Sequence, residues 1–535
     1  LQNLLKQKEV CFEVKTDATE LHIIGLVFSY EKGKGYYVTI PESQENEVLN
    51  YFKEFFVSDS IGKIGQNLKR DIKVLGHFGV EVKGALFDTV LAHYLLNPDM
   101  RHHLNVLSEN YLNYQPMTEE SVIGKGRAKI ELKDAAIAKQ AEFCIEATDI
   151  TFQLKEIFEK ELEEKGLTQL YTDIEIPLLK VLAKMEIAGV NLNTDYLKEL
   201  SEVITNDIEE LEKSIYAEAG EDFNLASPKQ LGVVLFEKMK LVEKPKKTKT
   251  GQYATNEDVL SKLASDHEII REILEWRGLV KLKSTYIDAL PNEVNPNTKR
   301  VHTTYGQTVA ATGRLSSNNP NLQNIPIRTP RGKQVREAFV PKDENHVLFA
   351  ADYSQIELRI IAALSNEENM IQAFKDGQDI HATTAAKVFG IPLEEVTREQ
   401  RGNAKAVNFG ILYGQGAFTL ADQTGMTRKE AKALIEAYYE TYPTLKAYMA
   451  KQVDFARDNG YVETVSGRRR YLKNINSQNG MVRSGDERNA VNAPIQGSAA
   501  DIIKIAMIRI QKKLEAGNYQ SKMLLQVHDE LVFDM

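Results

Sequence analysis

Apolar residues recur in short runs along the first part of the chain, and their spacing predicts an α/β domain. Continuous or alternating apolar runs predict strands, whereas runs with a helical period predict helices. The predicted strands are Val10–Val14, Ile23–Ser29 and Tyr36–Ile40, and the predicted helices are Asp71–His77 and Leu86–Leu96. We therefore expect residues 1–165 to form one α/β domain.

Residues 166–300 carry long, charged patterns with a mostly helical period. Ser227, which precedes a proline, predicts a helix start with a capping hydroxyl and a first-turn proline. Thr255, with an aspartate three residues later, predicts a second helix start. The lysine-rich stretch 244–251 between them contains Pro and Gly and predicts a loop.

Two apolar segments in the second half of the chain each present an aspartate. Residues 347–351 predict a short buried strand that ends at Asp352, with a helix beginning just beyond it. Residues 523–533 predict two strands joined by a tight turn at His528–Asp529. An isolated aspartate is more often a turn or capping residue. Two aspartates on rigid strands, however, can hold a pair of Mg²⁺ ions about 4 Å apart, as in nucleotidyl transfer.

Arg401, Lys405, Phe409 and Tyr413 are spaced four apart and lie on one face of a predicted helix. Cations suit a triphosphate, and aromatic rings suit a base and a sugar. The alternative is an amphipathic helix whose charged end is solvated, and a single motif does not distinguish the two. The carboxylate segments on either side in the sequence favour a nucleotide site.

Composition adds limits to these patterns. A chain of 535 residues is too long for one core and indicates three or four domains. No apolar run reaches the length of a membrane span, so no membrane partner is expected. The polar, lysine-containing segment that begins at Leu1 predicts a cut fragment without a signal peptide. Cys11 and Cys144 lack metal-ligand spacing and fit buried thiols of a reduced intracellular protein.

Long motifs in the second half resemble those of a known family. The segments DYSQIELR (352–359), RGNAKAVNFGILYG (401–414) and VHDELV (527–532) are similar, in that order, to the three polymerase motifs of family A DNA polymerases. The family's further motifs are matched by TGRLSS (312–317), NLQNIP (321–326) and NAPIQGSAAD (492–501). The resemblance runs from about residue 10 to the C-terminus, and is nearest to the large (Klenow-like) fragments of bacterial DNA polymerase I.

The resemblance implies a multidomain α/β and α+β fold. An RNase H-like 3′–5′ exonuclease-type domain would be followed by a right-hand polymerase whose palm is an antiparallel sheet. The implied segments are 1–165 (exonuclease-like), 166–300 (linker and helical thumb), 301–358 (palm), 359–481 (fingers) and 482–535 (palm). The family's 5′-nuclease domain is not matched, and the sequence stops at Met535 before the family's last palm elements, which indicates a truncated chain.

The family also implies roles for the carboxylates. Asp352 and Asp529 would hold two Mg²⁺ ions together with the backbone carbonyl of Tyr353, and Mn²⁺ would be able to substitute. Lys405 would act as the acid that protonates pyrophosphate, and Glu530 would be a secondary catalytic residue.

Nucleotide and DNA contacts follow from the same motifs. Arg401 and Lys405 would hold the triphosphate, Phe409 the sugar and Tyr413 the nascent base pair, while Glu357 would exclude a ribose 2′-hydroxyl. The remaining expected nucleotide-binding residues are Gln355 and His381. The expected DNA-binding residues are Arg314, Arg488 and Gln496, with Asn492, Gln323, Asn321 and His528 as weaker candidates. Asn and Gln more often satisfy buried backbone groups, and His528 fits a turn histidine equally well.

Basic clusters occur where the family contacts DNA, although such runs are usually solvated loops. The clusters are Lys244, Lys246, Lys247 and Lys249, and Arg468, Arg469 and Arg470. The net charge of −9 does not exclude DNA, because DNA responds to local charge within about one Debye length.

The exonuclease motifs, by contrast, are degenerate. Where the family has its first two carboxylates this chain has Glu13 and Lys15, and where it has Tyr and Asp in the third motif this chain has Phe143 and Ala147. Asp71 is kept, and Asp149 is a further available carboxylate. A two-metal nuclease needs several carboxylates, and an ammonium would repel a metal. We therefore expect a folded domain that does not proofread.

These observations predict a template-directed DNA-dependent DNA polymerase that binds primer–template DNA and dNTPs. A monomer in the cytoplasm, at a bacterial nucleoid, is expected, with phage and organelle origins left open. A single-subunit RNA polymerase is disfavoured by Glu357, which would clash with a ribonucleotide. A catalytically dead DNA-binding protein is disfavoured by the retention of Asp352 and Asp529 with Arg401 and Lys405.

Overall fold

The computed structural model describes residues 1–20, 22–327 and 329–535. The chain forms two compact units. The first unit comprises Leu1–Ile187, Tyr305–Ser316 and Ala350–Val532, and the second comprises Ala188–Thr304, Ser317–Phe349 and Phe533–Met535. Among the helices that the structure describes, none is both long enough and apolar enough to cross a bilayer.

The N-terminal domain of the first unit contains a five-stranded sheet in the order β3-β2-β1-β4-β5. Its strands are β1 (Glu9–Thr16), β2 (Ile23–Glu31), β3 (Lys34–Thr39), β4 (Gly62–Gly65) and β5 (Leu86–Asp88). β1, β2 and β3 pair antiparallel, whereas β4 pairs parallel with both β1 and β5. Phe12 of β1 packs into the core of this domain. Its ring forms edge-to-face contacts with the rings of Phe55 and Phe56, at centroid distances of 6.3 and 5.5 Å.

Helices cover this sheet. They are α1 (Glu45–Val57), α2 (Leu68–His77), α3 (Thr89–Leu96), α4 (Leu104–Leu112), α5 (Glu119–Ile123) and α6 (Ile137–Glu164). The predicted helix at Leu86–Leu96 was wrong in its first turn, since Leu86–Asp88 is strand β5. The Asp88 carboxylate then accepts from the amides of Val90 and Leu91 and so caps α3.

A helix with one widened turn leads out of this domain. It comprises α7 (Thr168–Leu170), a π-helical turn (Tyr171–Glu175) and α8 (Ile176–Ala188). The π turn places Tyr171, Ile174 and Glu175 in the interior. Such turns often occur at functional positions.

The second unit is mostly helical. Its helices are α9 (Thr194–Ala219), α10 (Pro228–Val233), α11 (Glu257–Leu260), α12 (Glu268–Leu282) and α13 (Pro330–Glu337), and its strands are β6 (Val190–Leu192), β7 (Arg300–Val301) and β10 (Phe339–Val340). Strands β8 (Thr304–Gly306) and β9 (Ser316–Asn318) form a separate two-stranded sheet. Ser227 caps α10 as predicted. The prediction for Thr255 was wrong by one residue, since Asn256 precedes α11 and Thr255 is buried.

The rest of the first unit carries a small sheet and a helical region. The helices are α14 (Ile356–Ser365), α15 (Glu368–Lys375), α16 (Ile380–Phe389), α17 (Arg398–Leu412), α18 (Ala417–Thr424), α19 (Arg428–Thr441), α20 (Pro443–Asn459) and α21 (Gly480–Ala516). The strands are β11 (Leu348–Asp352), β12 (Tyr461–Glu463), β13 (Arg469–Tyr471), β14 (Lys522–Val527) and β15 (Glu530–Asp534).

The small sheet has the order β11-β15-β14, and β14 and β15 form the predicted hairpin. The prediction of a buried strand at residues 347–351 was wrong about burial. β11 is the edge strand, and its residues from Phe349 to Asp352 are exposed. An edge strand has a pairing partner on one side only, so its environment depends on what packs over it.

Candidate active site

The two predicted metal-binding carboxylates lie at one end of the small sheet. Asp352 ends β11, and Asp529 follows His528, whose φ of 55° turns the hairpin. The amide of Tyr353 donates to the carbonyl of Asp529 at 3.1 Å, which fixes the two chain segments beside each other. Glu530, half-buried, begins β15.

The electrostatics of this pair suit a cation. Burial raises the pKa of Asp529, and the negative charge of Asp352 adds to that effect, against the opposing charges of Arg314 and His528. Among the described residues, no group of three or more His, Cys, Asp or Glu side chains could hold a metal ion. A hard cation at Asp352 and Asp529 would therefore take its remaining ligands from backbone, water and substrate oxygens, as Mg²⁺ commonly does.

A buried carboxylate joins this centre to the helical region. Glu357 lies in the first turn of α14 and is 6 % exposed. It accepts from the Arg314 guanidinium at 2.5 Å and from the Tyr413 hydroxyl at 3.0 Å. Burial and then the Glu357 charge raise the pKa of Tyr413 to about 12, so the phenol stays a donor at neutral pH. Sequence analysis placed Glu357 beside Tyr413, but not the Arg314 contact.

Arg401, Lys405 and Phe409 lie along α17 as the spacing predicted, and Tyr413 follows as its C-terminal cap. Thr397 and Gln400 form a capping box that fixes the helix start. Arg401 and Lys405 are exposed, and the rings of Phe409 and Tyr413 are nearly parallel with centroids 6.5 Å apart.

Arg401 has a partner that sequence analysis missed. Its Nε donates to Asp379 Oδ2 at 2.7 Å, while Oδ1 of the same carboxylate caps α16 through the amides of His381 and Ala382. The one sequence feature that could have revealed it is an aspartate placed two residues before His381 at a helix start.

His381 is buried beneath Phe409, with ring centroids 5.7 Å apart. Its Nδ1 lies 3.0 Å from the Asn408 side-chain amide. Burial lowers the pKa of His381 to about 4, which leaves it neutral at pH 7. It can thus offer a hydrogen bond but not a charge. Gln355, with a φ of 54°, directly precedes α14 and is half-buried.

The expected DNA contacts separate into two groups. Arg488, Asn492 and Gln496 are spaced four apart on α21, in the same unit as Arg314. The Arg488 side chain packs on Gly414, where a Cβ would lie 2.6 Å from its Cγ.

Asn321 and Gln323 belong to the second unit, where Asn321 Oδ1 accepts from the amide of Gln323 at 3.0 Å. Turn formation thus accounts for Asn321. His528 is exposed at the hairpin tip.

The arginine cluster 468–470 falls where the family contacts DNA, with a solvated loop as the alternative, and the structure pairs all three arginines with acidic residues. Arg468 is buried in ion pairs with Glu175 and Asp501. Arg469 donates to Glu463 at 2.9 Å and covers the Tyr461 ring, and Arg470 is paired with Asp99. The pairing of β12 with β13 sets Arg469 opposite Glu463, whereas Arg468 and Arg470 find their acidic partners in segments that are distant in the chain.

The degenerate exonuclease motifs come together in the N-terminal domain. Lys15 Nζ lies 2.5 Å from Glu13 Oε1 and 5.5 Å from the centre of the Phe143 ring. Burial would lower the pKa of Lys15, but Glu13 and other negative groups outweigh it and raise that pKa. Asp71 accepts from the amide of Val14 at 3.2 Å, and burial raises its pKa well above the usual range.

Asp149, the further carboxylate that the sequence suggested, already has two hydrogen-bond donors. Its carboxylate accepts from the amide of Gly33 and from Gln153, both at 2.8 Å. The motifs instead border a cavity of about 1010 Å³ whose lining includes Glu13, Lys15, Asp71 and Phe143. The ammonium of Lys15 lies beside Glu13 in the wall of this cavity.

Comparison with known families gives two matches. The model described as DNA polymerase family A matches residues 194–535, and the model described as 3′-5′ exonuclease matches residues 1–163.

Curated relatives agree. DNA polymerase I of Pseudomonas aeruginosa is 42 % identical over 100 % of this chain and 60 % of its own length. The Bacillus subtilis DNA polymerase I is 44 % identical over 96 % of this chain and 57 % of its own length. The chain thus spans about 60 % of the length of such relatives.

A solved structure is similar throughout. It is the POL domain of Pol1 from M. smegmatis in complex with DNA primer-template and dNTP, with a TM-score of 0.89 and 35 % identity. The match covers 100 % of this chain and 90 % of that one.

Proposed function

This chain belongs to DNA polymerase family A, and on that basis we propose that it extends a primer 3′-hydroxyl with dNTPs as a template directs. One observation carries the proposal: the segments of Asp352 and Asp529 are hydrogen bonded to each other, and the charge of Asp529 reaches Tyr413, which donates to the buried Glu357. The similarity to a polymerase solved with DNA primer-template and dNTP supports the same substrates.

The reaction needs divalent cations that this donor set suits. Asp352, Asp529 and the carbonyl of Tyr353 would hold two Mg²⁺ ions, with Mn²⁺ as a substitute. Such ions activate the primer hydroxyl and neutralise charge on the leaving pyrophosphate. Glu530, which begins the strand after the turn, would support this centre from a second position.

The residues of α17 would bind the nucleotide. Arg401 would hold the triphosphate through its planar fork and Lys405 through a point charge. Arg401 must then exchange the Asp379 carboxylate for phosphate oxygens. Lys405 would give a proton to the pyrophosphate oxygen as its bond to the α-phosphorus breaks. His381, neutral and buried, would add a hydrogen bond.

Phe409, Tyr413 and Glu357 would determine which nucleotide is selected. Phe409 would pack on the sugar and Tyr413 on the nascent base pair, since stacking tolerates every base. Glu357, placed beside Tyr413, would exclude a ribose 2′-hydroxyl. Gln355, at the start of the helix that carries Glu357, would complete this wall.

Primer–template contacts would come from polar side chains named by the family's motifs. Arg314, Arg488, Asn492 and Gln496 would touch minor-groove acceptors, which correct base pairs share. Weaker candidates are Asn321, Gln323 and His528, and the lysines of 244–249 would contact phosphates without reading sequence.

We further propose that the N-terminal domain does not proofread. The Lys15–Glu13 pair and the alanine at position 147 support this, because too few carboxylates stay free for two metal ions. Phe143 also lacks the hydroxyl that would orient an attacking water.

Extension of labelled matched and 3′-mismatched primers with Mg²⁺ and dNTPs tests both proposals. We expect extension of the matched primer by wild type and by the exposed-site control Asp458→Ala, and none by Asp352→Ala or Asp529→Ala. We expect no shortening of the mismatched primer. DNA binding without extension by wild type would indicate a catalytically dead binding protein, and shortening would show that the nuclease still works.

A further inference from the structure

A buried ion cluster lies in the first unit, away from the carboxylates of the proposed active site. Arg468 is 4 % exposed, and its partners Glu175, Asp501 and Lys504 are at most 1 % exposed. The Arg468 Nη2 donates to Asp501 Oδ1 at 2.6 Å and to Glu175, and Lys504 Nζ donates to Glu175 at 2.8 Å. Two cations thus meet two anions in the interior.

A buried ion cluster adds little to the free energy of folding, but it fixes the positions of its side chains. Desolvation offsets most of the attraction between buried charges, whereas removal of one partner leaves an uncompensated charge. Burial opposes ionisation of Glu175, yet Lys504 and Arg468 lower its pKa to about 2. Glu175 therefore stays ionised at neutral pH, and the directional bonds hold Arg468 in one orientation.

The cluster holds the loop that contains Arg314. The side-chain amide of Gln307 donates through Nε2 to Glu175 Oε2 at 2.8 Å and to the Glu175 backbone carbonyl at 3.1 Å. At the other end of the loop, Gly313 has a φ of 85°, and a Cβ there would lie 2.6 Å from Arg468 Nε. The loop backbone therefore rests directly on the buried guanidinium.

The N-terminal domain holds the same loop between these points. The hydroxyl of Tyr94, in α3, donates to the carbonyl of Ala310 at 2.6 Å. Tyr94 is 1 % exposed, and Arg468 lies over its ring at 6.0 Å. One side chain of the N-terminal domain thus touches both the loop and the residue that supports it.

The residue that follows Gly313 is Arg314, which pairs with Glu357. We propose that Tyr94 and Arg468 are positioning residues for Arg314, and that the N-terminal domain serves as a scaffold for the polymerase site. This inference rests on the proposed function. It gives the N-terminal domain a role that does not need nuclease chemistry.

Tyr94→Phe tests the proposal, because it removes one hydroxyl and keeps the ring. Tyr111→Phe is the matched control: it lies in the same domain, and its hydroxyl accepts from Asn97 at 2.9 Å. We expect Tyr94→Phe to lower kcat/KM for insertion of a correct dNTP about three- to tenfold, the effect of one hydrogen bond. The melting temperature should stay as in Tyr111→Phe.

A double mutant shows whether Tyr94 acts through Arg314. In an Arg314→Ala background, Tyr94→Phe should cause no further loss, since its target is gone. Losses that multiply, or a Tyr94→Phe enzyme equal to wild type, would overturn the proposal. Arg468→Lys keeps the charge but not the fork, and should reproduce the loss if it folds.

Hydrogen exchange of the amides in 307–314 provides a readout that does not depend on activity. Exchange should be about fivefold faster in Tyr94→Phe than in Tyr111→Phe, because one hydrogen bond to the loop is lost. Unchanged exchange would contradict the scaffold. Faster exchange in a chain whose wild type extends no primer would keep the scaffold and refute the proposed function.

Discussion

The hydroxyl of Tyr413 donates a hydrogen bond of 3.0 Å to Oε2 of Glu357, and Glu357 Oε1 is bound by Arg314 at 2.5 Å. The carboxylate is buried between a ring proposed to stack on the base pair and an arginine proposed to touch DNA. The bound nucleotide and the bound DNA would therefore both act on the Glu357 side chain.

The first prediction concerns that carboxylate. Glu357→Ala removes the bulk and the charge beside the nucleotide, so incorporation of rCTP relative to dCTP should rise by about 10- to 100-fold, the range for one group in a pocket. Single-nucleotide insertion kinetics measure it. The exposed Glu368→Ala is the control, and an unchanged ratio in Glu357→Ala would show that another residue excludes the 2′-hydroxyl.

The second prediction concerns the degenerate nuclease site. Lys15→Asp with Phe143→Tyr and Ala147→Asp adds carboxylates near Glu13 and the buried Asp71, so without metal the domain should be less stable than wild type. Mn²⁺ or Mg²⁺ should then raise the melting temperature and permit shortening of a mismatched primer.

The control for this triple variant is Lys160→Asp, which makes the same lysine-to-aspartate change as Lys15→Asp but on an exposed helix surface. It should show no metal-dependent shift in melting temperature. A triple variant that also shows none would mean that the site cannot be restored by its carboxylates alone.

The third prediction concerns Arg401 and its exposed partner Asp379. Arg401 is 44 % exposed and the pair is solvated, so it is worth at most about 1 kcal/mol. Asp379→Asn keeps a cap for α16 but weakens the hold on Arg401. KM for dNTP should therefore fall up to about fivefold. Steady-state insertion kinetics measure the effect, with Asp376→Asn as the control. A higher KM would mean that Asp379 orients Arg401 for the triphosphate.

The fourth prediction concerns pH. His93 Nδ1 lies 2.7 Å from His102 Nδ1, and burial lowers the pKa of both imidazoles from 6.5 to about 4. Between these values the unfolded chain takes up protons that the native domain does not. Stability should thus be lost as the pH falls from about 6.5 to 4, by at most about 3 kcal/mol for His93.

Hydrogen exchange of the N-terminal domain across this pH range measures the loss, after correction for the intrinsic pH dependence of exchange. His93→Phe keeps an aromatic ring but cannot titrate, so its stability should depend less on pH than that of wild type. Equal slopes for the two proteins would refute the assignment to this pair.

Much of the site was predictable from sequence because it depends on local spacing. The stripe on α17 follows from a period of four residues, and the hairpin at Asp529 follows from two apolar runs around a short polar turn. The predictions that were wrong concern segments whose structure depends on residues distant in the chain. Leu86–Asp88 is a strand because it pairs with β4, although its apolar residues also fit a helical pattern.

The sequence by itself determined the carboxylates, the cationic and aromatic face of α17, and the loss of exonuclease motif residues, since these depend on residue identity and short spacing. The tertiary structure decided which charged side chains are exposed and which are paired in the interior. It buried Arg468 with Glu175, 293 positions away in the chain, and brought Tyr94 to Ala310. Contacts of that separation are specified by the packing of whole domains, which no local pattern encodes.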